Sequence, residues 1–275
     1  MPELPEVENV VKSINADLKT PVKISKFTFY RKNLRWAFEK KKLHALENLE
    51  VLSITRRAKY ILFQLKDFTL ISHLGMTGQW TTTKTLGKAA GKTEIKKHDH
   101  VVIDFDSQQS LIYNDPRRFG FLVVVPHSKQ DDYFSEIGAE PFQPLTPEIL
   151  RRIKNADRSI KVVLLDQKIV VGIGNIYASE ALFRARIKPQ TKAKRLSVEK
   201  IQELYKVADE ILLEAIAAGG SSIANYVNAK QEKGSFQQKH LVYGRDGESC
   251  SVCQTQIQRL VQAGRSTFWC KSCQK

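Results

Sequence analysis

The sequence predicts an α+β protein with its strands and helices in separate regions: short strands in the first half, longer helices in the second, and a four-cysteine ribbon at the end. Three observations carry this. Between residues 22 and 125 apolar residues form short or alternating runs, separated by Asp67, Gly75, Gly78 and Asn114-Asp115-Pro116, the pattern of half-buried strands and tight turns. Beyond Pro147 the apolar spacing changes to the three-and-four rhythm of a helix face. All four cysteines fall in the last 26 residues, as Cys250-x2-Cys253-x16-Cys270-x2-Cys273. The 275 residues, 42% hydrophobic, exceed the usual size of one domain and argue for two, which leave a cleft between them.

Taken in order, Val7, Val10, Val11, Ile14 and Leu18 predict an amphipathic helix over 4–18 that anchors the terminus. Strands are expected over 23–30, 51–55, 60–65, 69–73, 100–105, 110–113 and 119–125, forming a β-sandwich or barrel. The polar stretch 81–97 reads as a loop. Residues 126–147, rich in proline and polar side chains, read as a linker to helices over 147–155, 161–167, 175–185 and 197–218. The last of these opens on Ser197 with a glutamate near its first turn and closes at Gly219-Gly220. The polar segment 225–240 reads as a second loop, and 256–262 with 267–269 as a hairpin turning at Ala263-Gly264-Arg265.

Lysine and arginine total 44 against 29 acidic residues, a net charge of +15 that points to a polyanionic partner. No apolar run reaches membrane-spanning length, and acidic residues stand where a signal peptide carries positive charge; a soluble, cytoplasmic protein is expected. The tight cysteine pairs suit one tetrahedral Zn2+, with disulfides as the alternative that a reducing cytoplasm disfavours. Four thiolates leave no open coordination position, so this zinc is expected to be structural.

Chemistry must then come from elsewhere, and the chain begins Met1-Pro2-Glu3. With Met1 removed, Pro2 is a secondary amine whose adduct with a sugar carbonyl carbon stays a cationic iminium, an electron sink for elimination. A terminal amine titrates near about 7.7–8.0, against about 10.4 for lysine, so more of it is unprotonated at neutral pH. A frayed tail is the alternative. Val171-Gly-Ile-Gly-Asn-Ile-Tyr177 places Asn175 in N-cap position, which suits either a phosphate seat or a plain helix-turn-helix. Lys59, in a basic cluster before a strand, and Arg265, at the hairpin tip, can meet phosphates or simply be solvated. In Asn114-Asp-Pro-Arg-Arg-Phe-Gly120 an arginine can face an orphaned base while Phe119 wedges into a base step, with Met76 as a second wedge. Core packing is the alternative for both apolar side chains. Lys97-His98-Asp99-His100 offers too few side chains for a metal site alone and reads as a phosphate contact or structural hydrogen bonding.

Together these motifs resemble the formamidopyrimidine-DNA glycosylase family, in the family's order and over nearly the whole chain. The match runs through Met1-Pro-Glu-Leu-Pro-Glu6, Arg57-Ala-Lys-Tyr60, His73-Leu-Gly-Met76, Lys97-His-Asp-His100, Asp115-Pro-Arg-Arg-Phe-Gly120, Gly172-Ile-Gly-Asn-Ile-Tyr177 and the terminal cysteines. The resemblance implies a β-sandwich domain with flanking helices over 1–130, a helix-two-turn-helix domain with a lesion-capping loop over 131–240, and a zinc finger over 241–275. It implies a monomer that binds damaged double-stranded DNA in the nucleoid, carries one structural zinc, and acts as glycosylase and AP lyase on 8-oxoguanine and formamidopyrimidines.

Carried over by position, Pro2 is the Schiff-base nucleophile and Glu3 the proton donor. Lys59 and Arg265 match residues credited with phosphate binding and with proton donation during β- and δ-elimination respectively. His73, Asn175 and Tyr243 match phosphate contacts, and His98, Arg118 and Lys161 further DNA contacts. Met76, Arg117 and Phe119 match the triad that fills the void left by a flipped nucleotide, with Arg117 facing the orphaned cytosine, and Glu6 matches a second carboxylate near the site. Leu4 separates the chain from the related endonuclease VIII branch, which usually reads Pro-Glu-Gly. Two positions depart from the pattern: Val162 stands where proline often follows the lysine, and Ala224 where a basic residue is common. A non-catalytic zinc-ribbon DNA-binding protein and an enzyme for oxidised pyrimidines are the competing readings.

Overall fold

The structure is a computed structural model of the chain and describes residues 1–84, 95–222 and 227–275. Its internal contacts define two compact units, Met1–Ser135 with Gly219–Gly234, and Glu136–Ala218 with Ser235–Lys275.

In the first unit, α1 (Leu4–Asp17) opens on Glu3. The Glu3 N–H donates to the Glu6 carboxylate at 2.8 Å and the Glu3 side chain accepts from the Glu6 N–H, a reciprocal capping box with Pro5 in the first turn, where no donor is needed. Val7, Val10, Val11 and Ile14 are buried against two antiparallel sheets. One sheet has the order β2-β1-β7-β8-β6, with β1 Val22–Phe29, β2 Glu50–Val51, β6 Gln79–Lys84, β7 Asp99–Phe105 and β8 Gln109–Asn114. The other is β3-β4-β5-β9, with β3 Ser53–Arg57, β4 Tyr60–Gln64, β5 Phe68–His73 and β9 Phe121–Pro126. Their inner faces share one apolar core, in which Phe63 meets Trp80 at 6.0 Å and the Trp80 indole N–H donates to Ser72 of the facing sheet. Two short helices, α2 (Lys40–His44) and α3 (Gln130–Phe134), complete the flanks.

Several boundaries differ from the sequence reading for identifiable reasons. The strand expected over 51–55 breaks at Leu52, where the chain passes from one sheet to the other. Thr81, Thr82 and Thr83, expected in a loop, belong to β6 and pair with Ile112, Leu111 and Ser110; threonine is polar but β-branched, and fits a pleated surface. Residues 85–94 of that expected loop, and Ala224, lie outside the described residues. The linker expected over 126–147 contains α3. Gly219–Gly234, read with the helical half, packs in the first unit: Thr82 N–H donates to Ala229 O at 3.0 Å, and Lys230 pairs with Asp17 at 3.2 Å.

The second unit holds α4 (Pro147–Lys154), α5 (Ile160–Leu164), α6 (Asn175–Arg184) and α7 (Val198–Ala217). Thr146 caps α4 and Ser197 caps α7 through their side-chain oxygens. Arg184 of α6 grips Glu214 of α7 with two hydrogen bonds of 2.7 and 2.9 Å, over a core that includes Tyr177, Ala181, Leu204 and Ile211. The hairpin β10 (Gln258–Gln262) and β11 (Arg265–Trp269) closes the chain. Arg265 is the first residue of β11, paired with Gln262, rather than a residue of the turn itself.

Candidate active site and metal centre

The terminus is held in place by buried charge. Glu3, Glu6 and Lys59 are 3%, 2% and 5% exposed. One Glu6 oxygen accepts from Glu3 N–H at 2.8 Å and the other from Ser221 N–H at 2.7 Å, which ties the start of α1 to a segment more than two hundred residues away. Gly220 makes that approach possible: its φ is +83° and a Cβ there would lie 2.9 Å from the Glu6 carboxylate. Lys59 occupies the two-residue turn between β3 and β4, after Ala58 at φ 52°. That turn is held against α1 by Arg56, which bonds Glu8 at 2.8 Å and the Ala58 carbonyl at 3.0 Å. In the chain as it stands the terminal amine belongs to Met1. Burial holds its pKa below the ordinary value against the opposing charges of Glu3 and Glu6, with Lys59 and Arg117 acting in the same direction as burial.

Two further turns of this unit carry the proposed wedge. Fully buried Asp115 staples its own loop, accepting from Thr77 Oγ1 and Arg117 N–H on one oxygen and from Gly120 N–H on the other at 2.9 Å. Arg117, Arg118 and Phe119 are thereby turned outward, with Arg118 at φ 57° and the Arg117 guanidinium 4.7 Å from the Phe119 ring centroid. The Gly75 turn abuts this loop so closely that a Cβ on Gly75 would meet Phe119 backbone atoms. Met76 and Phe119 are 40% and 43% exposed, so neither is a core residue.

His73 lies at the end of β5, stacked on Phe121 at 5.2 Å. Its Nδ1 accepts from Gly75 N–H at 3.0 Å, which leaves Nε2 as the ring donor. Burial, with help from the charges of Lys59 and Arg35, lowers its pKa to about 4, so the ring is neutral at pH 7. In the Lys97–His100 motif His98 is half-buried, while Asp99 accepts from Lys96 N–H and Asn114, and His100 bonds the Asp115 carbonyl at 2.8 Å. Asp99 and His100 therefore serve the fold.

In the second unit Gly174, not Asn175, is the N-cap of α6. Asn175 is the first helical residue, and its amide donates to the Ser266 carbonyl at 2.8 Å. Lys161 is fully buried and its ammonium reaches the same carbonyl at 2.9 Å and Thr267 Oγ1 at 2.7 Å. Both residues thus grip β11 beside exposed Arg265. Tyr243 sits in a loop anchored by a residue the sequence reading missed: the buried Glu180 carboxylate of α6 accepts N–H bonds from Leu241, Val242 and Tyr243 at 2.9, 3.0 and 2.8 Å. A lone glutamate on an apolar helix face was the one signal available.

The ligand atoms of Cys250, Cys253, Cys270 and Cys273 all lie within 4.8 Å of one another. Tetrahedral zinc with Zn–S bonds of about 2.3 Å separates its sulfurs by about 3.8 Å, close to the 3.9 Å between Cys250 and Cys273 and the 3.4 Å between Cys253 and Cys270. The four thiols fit one structural zinc with no open position. Sheets that carry the chain terminus, a helical unit and a four-thiol ribbon define a zinc-ribbon protein of multi-part architecture.

Comparison with known proteins narrows the class. The chain matches the formamidopyrimidine-DNA glycosylase N-terminal domain over residues 1–122, the H2TH domain of the same proteins over 137–227, and the zinc finger found in FPG and IleRS over 247–275. It is 42% identical to the formamidopyrimidine-DNA glycosylase of Bdellovibrio bacteriovorus and 43% to that of Gluconobacter oxydans, each over the full length of both chains. Wild-type Lactococcus lactis Fpg (MutM) bound to N7-benzyl-Fapy-dG-containing DNA superposes with a TM-score of 0.87 at 34% identity, and MutM with carbocyclic 8-oxo-G-containing DNA with 0.87 at 34%, both covering both chains completely. The chain belongs to the formamidopyrimidine-DNA glycosylase family.

Proposed function

We propose that this DNA glycosylase acts on damaged duplex DNA as both glycosylase and AP lyase, excising oxidised purines through the nitrogen of Pro2 once Met1 is removed. The observation that carries the reading is the setting of the terminus, where two buried carboxylates from the start of α1, Glu3 and Glu6, and buried Lys59 from the turn between β3 and β4 act on the terminal amine. Burial lowers the pKa of the Met1 amine, and the same desolvation acting one residue on, at the nitrogen of Pro2, would favour the unprotonated form that attacks carbon.

In this mechanism the nitrogen lone pair forms a bond to C1′ and the glycosidic pair departs with the base. The adduct's N–H proton passes to Glu3, which delivers it to O4′ as the ring opens, and the nitrogen lone pair so freed makes the cationic iminium. The iminium acidifies the C2′ proton; its removal expels the 3′ phosphate by β-elimination, and a further proton loss expels the 5′ phosphate by δ-elimination. Lys59 and Arg265 bind the phosphates and supply protons to these steps. Asn175, Tyr243, His98, Arg118 and His73 contact the DNA, His73 as a neutral N–H donor. Lys161 acts on DNA through the ribbon it holds. Exposed Met76, Arg117 and Phe119 fill the space of the flipped nucleotide. The zinc contributes only the fold of the ribbon.

Arg117 suits an orphaned cytosine because a guanidinium donates to the carbonyl and ring-nitrogen acceptors of that base. Single-turnover excision of 8-oxoguanine opposite cytosine is therefore expected to outpace that of thymine glycol; faster thymine glycol release would overturn the oxidised-purine assignment.

A further inference from the structure

Three tryptophans occur in the chain. Trp80 and Trp269 are buried, whereas Trp36 is 51% exposed at the tip of the loop after β1. Its inner face packs on Phe121 at 4.4 Å, and Phe121 in turn stacks on His73. The Arg35 guanidinium lies 5.5 Å from the indole centroid, and the Arg35 N–H is pinned to the Gly120 carbonyl at 3.0 Å. An exposed indole and guanidinium are thus mounted, by ring packing and a backbone bond, two ring contacts from the imidazole of His73. The surrounding segment is strongly cationic: residues 30–42 include Arg31, Lys32, Arg35, Lys40, Lys41 and Lys42 against a single acid, Glu39. Core packing does not account for a large aromatic held outward in this way, and the charge selects an anionic partner.

We infer that Arg35 and Trp36 form an additional DNA-backbone contact beside His73, with the indole face against a deoxyribose and the guanidinium on the adjoining phosphate. Deoxyribose offers an apolar face and the phosphate a fixed anion, so one nucleotide satisfies both members of the pair. The inference rests on the proposed function only in that His73 faces the DNA. The charge of Arg35 also acts on His73, consistent with a shared surface.

Acrylamide quenching of tryptophan fluorescence, with and without a duplex carrying a tetrahydrofuran abasic analogue, tests the contact. Since Trp36 is the exposed indole, DNA is expected to shield most of the quenchable emission, and Trp36→Phe is expected to abolish that difference. Arg35→Gln is expected to make the dependence of log K on log salt shallower by about 0.9, the share of one phosphate contact, while Arg35→Lys keeps the slope. All three variants retain the backbone bond from residue 35 to Gly120, and phenylalanine at position 36 keeps a ring against Phe121. Quenching of Trp36 unaffected by DNA, or a slope unchanged in Arg35→Gln, overturns the contact. Shielding that instead rises with protein concentration in the absence of DNA also overturns it and assigns the patch to a second copy of the chain. Shielding by DNA in a protein that forms no covalent adduct supports this contact while contradicting the Pro2 mechanism, so the two proposals fail separately.

Discussion

Glu6 and His73 show how single side chains of this protein are defined by partners far away in sequence. Glu6 accepts from Glu3 and Ser221, and with both oxygens engaged it orients the first turn of α1. His73 is neutral because the fold removes it from water and sets Lys59 and Arg35 nearby. Its native pKa of about 4 lies below the ordinary 6.5, so as pH falls the unfolded chain takes up the proton first. The stabilisation is complete above about pH 6.5 and is lost progressively down to about pH 4, on the order of 1 to 3 kcal/mol. Urea midpoints measured across that range are expected to fall more steeply for the native protein than for His73→Gln. Parallel profiles would show that His73 does not carry the effect. Pro2, Glu3 and the outward arginines were readable from local motifs; the pairing of Glu6 with Ser221 was not, because it depends on a fold that closes the two ends of one unit.

At the scale of elements, α6 organises the second unit. Its first residue and Lys161 of α5 hold the Ser266 carbonyl, and Glu180 in its second turn holds the backbone of residues 241–243. The carboxylate serves three donors at once, and a neutral amide offers a single oxygen in its place. Glu180→Gln is therefore expected to cost about 2 to 3 kcal/mol in thermal or urea unfolding and to weaken DNA binding through Tyr243. An unchanged melting temperature would contradict that anchoring role. The helices were legible from apolar spacing and, for α7, from Ser197 at its start, and the hairpin from its turn. Asn175 was misplaced by one position because Gly174 takes the cap, and β6 was missed because its threonine run is polar. Neither signal separates strand from loop, or cap from first turn, without the neighbouring element.

For the whole molecule, the net charge of +15 and the four-thiol ribbon were both legible in the sequence, the first as a partner class and the second as a metal site. What spacing could not show is that Cys250 and Cys270 are buried in a small apolar cluster with Val242, Ile257 and Phe268. Zinc thus closes a ribbon that has little core of its own. Metal analysis is expected to find about one zinc per chain, and chelation to lower both thermal stability and DNA affinity. Full DNA affinity in the metal-free protein would refute a structural role. At the other end of the chain Met1 must leave for Pro2 to become an amine. Borohydride reduction of the protein with 8-oxoguanine duplex, followed by mass mapping of the adduct, tests it most directly. One covalent adduct is expected on the nitrogen of Pro2 in chains lacking Met1, and none in Pro2→Gly that retains Met1. An adduct on a lysine, or trapping undiminished in that variant, would contradict it.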